Sequence, residues 1–372
     1  MAVVTHVVRQ FVPNRGGVED TVFHLGLGQA QLGWDVRIVT LNRLFRNLLA
    51  HLPDKEEIAG LKVTRIPFFG STRYPIAPQV LLHVSKSDIL HVHAIDFFFD
   101  FLALTKPIHQ KKLIATTHGG FFHTNFASRL KRIYFPTITR LSTVAYNKIV
   151  ASSSSDAEMF RRLTSRVVTI ETGVNIAKFS DCAAREHSRT IIYFGRLSSN
   201  KRVPLLLGLL AELQKISPDW RLIVAGTEFE ETILGLTHYA RKLGVCDAVH
   251  FISSPNDSDL ARIIGKASYF ASLSAYEGFG VSVVEAMAAG LVPILSDIPP
   301  FREFVRRAGG GLIVEANDLS SAADAIVAFD LTRPIKDRSK FIKAAANYGW
   351  AGVTEAYLAE YDKILSASSL QK

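Results

Sequence analysis

Two glutamates, Glu277 and Glu285, stand eight positions apart in the segment AYEGFGVSVVEAMAAG. Gly278 and Gly280 between them free the backbone for a tight turn. The amides from Phe279 and Gly280 through Val281 to Ser282 would then open a helix and point at a ligand. Glu277 falls before that helix and Glu285 about one turn inside it. Carboxylates so spaced accept hydrogen bonds from the hydroxyls of two sugar rings. Paired carboxylates serve hydrolases as well, and a capped surface helix has the same composition.

A second constellation is Phe194-Gly195-Arg196-Leu197-Ser198-Ser199-Asn200-Lys201. A strand ending near Phe194 and a helix starting near Arg202 place Arg196 and Lys201 at a strand-to-helix crossing. Two fixed cations there suit a diphosphate, which gains negative charge as its bond to a sugar breaks. Two solvated loop cations would look alike. The chain has no Gly-x-x-x-x-Gly-Lys-Ser/Thr loop, which disfavours an ATPase. Near the amino end, Asn14-Arg15-Gly16-Gly17-Val18-Glu19 follows the first apolar run. Its glycine pair would let amides approach an anion, or form an ordinary tight turn. Gly26-Leu27-Gly28 is no dinucleotide fingerprint, because Gln31 stands where the third glycine belongs.

His118 opens the segment His118-Gly119-Gly120-Phe121-Phe122-His123 after another apolar run, and His91 and His93 end a third. Their spacings match no zinc pattern, and no acidic or cysteine ligand is set among them, so no metal is expected. Asp257-Ser258-Asp259 precedes a helical run and reads as a helix cap rather than a metal-binding pair.

The elements that must position these residues follow from the apolar pattern. Strands are predicted at 3–8, 36–40, 63–66, 89–92, 113–116, 149–151 and 167–170, with helical patterns between most of them. A second series runs at 191–194, 222–225, 249–252, 269–273, 292–295 and 312–314. Uninterrupted β-branched strands alternating with helices imply parallel sheets covered on both faces. The series break in the polar stretch DCAAREHS, giving an α/β chain with domains expected at 1–183 and 184–348. Residues 349–372 read as a carboxyl-terminal helix that could return to the first domain. Ligands of doubly wound domains bind beyond the carboxyl ends of their strands.

The 372 residues and 48% apolar content support two cores. Two cysteines, Cys182 and Cys246, argue against a disulfide framework and fit a reducing cytosol. The amino terminus reads as a strand rather than a signal peptide, and no run reaches the ~20 apolar residues of a membrane span. Charge is uneven: 22 Lys and Arg against 12 Asp and Glu through residue 180, then 21 against 22. A basic first half attracts phosphates or an anionic membrane. Arg129, Lys131 and Arg132, among Phe121, Phe122, Phe126, Tyr134 and Phe135, form a basic-aromatic stretch suited to such an interface, though a buried aromatic helix fits it too.

The order Gly16-Gly17, His118-Gly119-Gly120, Gly195-Arg196 to Lys201, Gly226, then Glu277 to Glu285 resembles the family 4 retaining glycosyltransferases along nearly the whole chain. The resemblance implies the GT-B fold, two Rossmann-like doubly wound domains about a cleft. HVVRQF, GGVED and ATTHGGFFHT are similar to the polyprenol-diphosphate-linked α-mannosyltransferases of xanthan- and acetan-type assembly. By this resemblance, Arg196 and Lys201 bind the donor diphosphate, with Gly16 and Gly17 near its distal phosphate and Gly226 in the same site. Glu277 and the amides of Phe279, Gly280 and Val281 hold the transferred sugar, Glu285 the ribose, and the backbone around Phe251 the base. His118 faces the sugar. Its catalytic set is then His118, Arg196, Lys201 and Glu277.

The resemblance further implies a GDP-mannose donor used as substrate, with no cofactor, and a lipid-linked oligosaccharide acceptor. It places the chain in the cytoplasm, peripherally on the inner face of the cytoplasmic membrane. A UDP-sugar-dependent transferase and a nucleotide-sugar 2-epimerase remain alternatives. A nucleic-acid binder would leave the glutamates unexplained, so no nucleic acid is expected as a partner.

Overall fold

The computed structural model describes residues 1–14, 16–119, 134–332 and 334–367. It divides into two compact units, Met1–Gly173 with Trp350–Lys372, and Val174–Gly349. The division thus falls ten residues before the boundary expected after residue 183. The reason is local: Val174 pairs with Gly349 and its amide donates to the Tyr348 carbonyl at 2.8 Å, tying the segment after Gly173 into the second unit.

The first unit is built on β1 (Val3–Val7), β2 (Asp35–Leu41), β5 (Lys55–Ile58), β6 (Leu61–Ile66), β9 (Ile89–His93), β10 (Lys112–Thr116), β11 (Lys148–Ala151) and β12 (Val167–Thr169). They form one sheet in the order β12-β11-β10-β9-β1-β2-β6-β5. All pairings are parallel except β5 with β6, an antiparallel edge absent from the sequence pattern. Two antiparallel hairpins were equally illegible there: β3 (Arg43–Leu44) with β4 (Asn47–His51), and β7 (Phe69–Ser71) with β8 (Tyr74–Ile76). Their residues are largely exposed, so burial left no apolar signature.

Alternation sorts side chains to the two faces of this sheet. Val7, Leu90 and Val92 face one core, with Phe98 and Phe99. Val4, Val8, Ile89 and Ile114 face the other, covered by Val22 and Leu25 of helix Gly17–Gln31 and by Tyr357 and Tyr361 of helix Trp350–Ser366. The carboxyl-terminal helix therefore belongs to the first unit.

The second unit holds β13 (Thr190–Leu197), β14 (Arg221–Glu228), β15 (Val249–Ser253), β16 (Tyr269–Ser272), β17 (Val292–Ser296) and β18 (Leu312–Val314). Their order is β15-β14-β13-β16-β17-β18, with every pairing parallel. The order reverses between β13 and β16, so the crossovers after these two strands go to opposite sides and leave a crevice at their carboxyl ends. In the first unit the corresponding reversal lies between β1 and β9.

Candidate functional site

The basic residues Arg196 and Lys201 and the first glutamate, Glu277, all lie at the second unit's reversal point. Arg196 is the penultimate residue of β13, Lys201 follows that strand, and Glu277 follows β16. The two loops are stitched by backbone and side chain. The Ala275 amide donates to the Asn200 carbonyl at 2.8 Å, and Arg202 donates to the carbonyls of Leu273 at 2.7 Å and Ser274 at 3.2 Å. Arg202 sits in the left-handed region at φ 50°, a strain that these two bonds hold in place.

This stitching brings Lys201 against Glu277. Lys201 Nζ lies 2.5 Å from Glu277 Oε1, which also accepts from Ser274 Oγ at 2.8 Å. Glu277 Oε2 has no hydrogen-bond partner among the described residues. Lys201, expected on the donor diphosphate, and Glu277, expected on the transferred sugar, form one part-buried ion pair. The exposed Arg196 lies with its guanidinium 5.2 Å from the Phe229 ring centre and has no ion pair among the described residues. The Lys201–Glu277 pair thus offers an open acceptor oxygen beside a paired cation.

Helix Val281–Ala289 starts at Gly280, whose φ of 108° only glycine adopts readily, and no side chain caps it. A Cβ at Gly280 would also press on Phe301 and Phe304, at 3.2 and 3.1 Å. Phe279 packs against Phe304 and Tyr348, fixing the turn from behind. Val281 is exposed at the helix start, and Glu285 lies in the helix as expected. Glu285 stands 3.6 Å from Lys178, which also reaches Asp257 at 2.9 Å. A lone lysine outside any motif carries no sequence signal, so Lys178 becomes visible only in the fold.

Gly226 has an internal reason for being glycine. A Cβ there would lie 2.0 Å from the Gly195 carbonyl oxygen on the neighbouring strand. Phe251 packs onto the hydrophobic core, while its neighbours His250 and Ile252 line a groove of about 760 Å³ along β15. Asn256, not Asp257, caps helix Asp257–Ile264, accepting from the Asp259 amide at 2.9 Å.

In the first unit, Gly16 is extended and Gly17 begins helix Gly17–Gln31. Nothing lies within 4 Å of a Cβ at Gly17, so the protein itself does not require glycine there. Asn14 Nδ2 donates to Glu19 Oε1 at 2.7 Å and closes the loop. A cavity of about 140 Å³ lies beside it, bordered by Arg9, Asn14, Glu19, Phe45 and His93. Asp96 caps helix Phe97–Leu104 and meets Arg9 at 2.9 Å; burial pushes its carboxyl up to about 6 against the pull of that arginine.

His118 follows β10 with φ 55°, half-buried, its Nε2 2.9 Å from His93 Nδ1. Burial lowers its pKa to about 4, so the ring is neutral at ordinary pH. His6, His91 and His93 converge closely enough to hold a metal ion. Each of their ring nitrogens, however, is already hydrogen-bonded within the protein. Gly120, His123, Phe121, Phe122, Phe126, Arg129, Lys131 and Arg132 lie outside the described residues, as does Arg15.

Sequence comparison agrees with this architecture. Residues 15–178 match the model described as "Glycosyltransferase Family 4", and residues 176–348 that described as "Glycosyl transferases group 1". The chain belongs to the family 4 glycosyltransferases and is a glycosyltransferase of the GT-B fold. It is 44% identical to the GDP-mannose:cellobiosyl-diphosphopolyprenol alpha-mannosyltransferase of Komagataeibacter xylinus, over 97% of this chain and 93% of that one. The protein of the same name from Xanthomonas campestris is 42% identical over 99% of both. In structure the chain is similar to sucrose-phosphate synthase from Thermosynechococcus elongatus, with a TM-score of 0.73 at 16% identity over 99% of this chain and 100% of that one.

Proposed function

We propose that this chain transfers an α-mannosyl group from GDP-mannose to a polyprenol-diphosphate-linked oligosaccharide, with retention of configuration and without a metal ion. Two relatives bearing the corresponding name, each above 40% identical over nearly the whole chain, support the donor and acceptor. The observation that carries the chemistry is the Glu277 carboxylate, held through one oxygen by Lys201 and Ser274 with the other open.

In this reading Glu277 Oε2 accepts from hydroxyls of the transferred sugar, helped by the amides at the uncapped helix start. Arg196 binds the diphosphate, and Lys201 shares its charge between that diphosphate and Glu277. Gly17 leaves room for the distal phosphate, Glu285 holds the ribose, and the backbone near Phe251 meets the base. His118 meets the transferred sugar. The bond from the anomeric carbon to the phosphate oxygen breaks through an oxocarbenium-like state. The acceptor oxygen bonds to the same face, and its proton passes to the departing phosphate oxygen. The two cations stabilise the charge that develops on that leaving group. No nucleophilic carboxylate is needed, so Glu277 binds and orients. The basic first half would keep the chain at the inner face of the cytoplasmic membrane, where the lipid diphosphate lies. No helix among the described residues is long and apolar enough to cross that membrane.

The test is mannosyl transfer by the purified chain from GDP-mannose to cellobiosyl-diphosphopolyprenol in the presence of a chelator. An α-linked mannosyl lipid is expected. Transfer from UDP-sugars alone would overturn the donor, and a strict divalent-ion requirement the metal-independent step. Conversion of the donor with no acceptor present would point to an epimerase.

A further inference from the structure

Parallel register gathers His6, His91 and His93 on one face. His6 on β1 pairs with His91 on β9, and His93 pairs with Thr116 on β10. Their side chains lie beneath helix Gly17–Gln31 and helix Trp350–Ser366, from which Gln29, Tyr357 and Tyr361 reach in. His118 follows Thr116 by two residues and joins the same face.

Three imidazoles then stand in line. Gln29 Oε1 is 2.7 Å from His6 Nε2, His6 Nδ1 is 2.8 Å from His93 Nε2, and His93 Nδ1 is 2.9 Å from His118 Nε2. A neutral imidazole donates through one nitrogen and accepts through the other, so the group at one end sets the direction of every bond. The Gln29 amide oxygen sets that end, because it can only accept. The 2.7 Å contact suits an N–H donating to the amide oxygen of Gln29, whose Nε2 then donates to Tyr361 Oη at 3.2 Å. Tyr361 in turn donates to His91 Nδ1 at 2.6 Å, a length usual for a hydroxyl donor.

With Gln29 accepting, His6 carries its proton on Nε2 and accepts at Nδ1 from His93 Nε2–H. His93 then accepts at Nδ1 from His118 Nε2–H. His118 Nδ1 keeps its lone pair and has no partner among the described residues. We infer that Gln29, His6 and His93 are positioning residues that fix His118 as the neutral Nε2–H tautomer, so that His118 Nδ1 accepts a hydrogen bond from a sugar hydroxyl. This rests on the reading above that His118 meets the transferred sugar.

The surroundings favour neutrality throughout. The groups facing the chain are the His91 imidazole, the Tyr357 and Tyr361 phenols and the Thr116 hydroxyl, with Arg9 and Glu19 across the small cavity that His93 borders. Desolvation lowers the pKa of His6 and His118 to about 4 and that of His93 well below the usual range. A charged imidazole in the chain would donate from both nitrogens and break the sequence of bonds.

Nitrogen-15 NMR of the full chain labelled at histidine reads each tautomer directly. His118 is expected with Nε2 protonated and Nδ1 bare at pH 7. A protonated Nδ1 overturns the inference, whatever the variants do. Gln29→Leu should let His118 sample both tautomers and lower kcat about tenfold; Gln29→Glu, which keeps an acceptor opposite His6, should restore the single tautomer. A Gln29→Leu protein with the wild-type tautomer and kcat would also sink it. His118→Ala with wild-type transfer would instead overturn the sugar-contact reading and leave the tautomer result standing.

Discussion

Lys201 and Glu277 show how much one contact changes a residue-level account. Removing the lysine leaves a part-buried carboxylate with Ser274 as its remaining partner and takes a cation from the leaving group. Lys201→Ala and Glu277→Ala are each expected to reduce transfer by at least about 100-fold with the fold intact. Steady-state kinetics beside circular dichroism checks this, and wild-type-like turnover by either variant would remove the residue from the site. Glu277→Gln separates charge from hydrogen bonding: its amide oxygen still accepts from hydroxyls, but the ion pair is gone. A smaller loss in kcat than that of Glu277→Ala is expected from the glutamine.

At the scale of elements, packing sets the constraints that the site depends on. Strands β13 and β14 approach so closely at Gly195 and Gly226 that a methyl group has no room. Gly226→Ala should destabilise the second unit by about 2–4 kcal/mol, because the clash is with backbone and cannot be relieved by a rotamer change. Urea unfolding would measure it; an unchanged midpoint would mean the strands separate freely.

The histidine face of the first unit predicts a pH dependence. His6 is fully buried, with its pKa lowered from 6.5 to about 4. Below pH 6.5 the unfolded chain takes up a proton that the folded chain refuses. This stabilising term is therefore complete above pH 6.5 and is lost as pH falls towards 4. It amounts to about 1.4 kcal/mol per pH unit for each such histidine across that window. Denaturant midpoints at pH 7 and pH 5 test it: His6→Phe should flatten the slope, and an unaltered slope would contradict the assignment.

At the scale of the whole molecule, charge and fold belong to separate arguments. The net charge of +9 comes from the first half of the chain and says nothing about the sheets. It predicts flotation with anionic liposomes at low salt, weakening as salt rises past the range where screening shortens to about 8 Å. Absence of binding to anionic vesicles at low salt would remove the membrane from the proposed function.

The strand series is legible in the sequence, because fully buried parallel strands must be apolar without interruption. All thirteen strands read from it are present, within a few residues at their ends. It also placed Lys201 and Glu277 in loops after strands, since glycines and charges cluster where strands give way to helices. The exposed hairpins and the antiparallel edge at β5 left no such trace, their side chains being free of a core. Which side chains meet depends on the folded chain. Loops 76 residues apart put Lys201 on Glu277, Lys178 came to Glu285, and strand register aligned His6 with His91 beside His93. A hydrogen bond depends on distances of a few ångströms between residues far apart in sequence, and no local pattern encodes that.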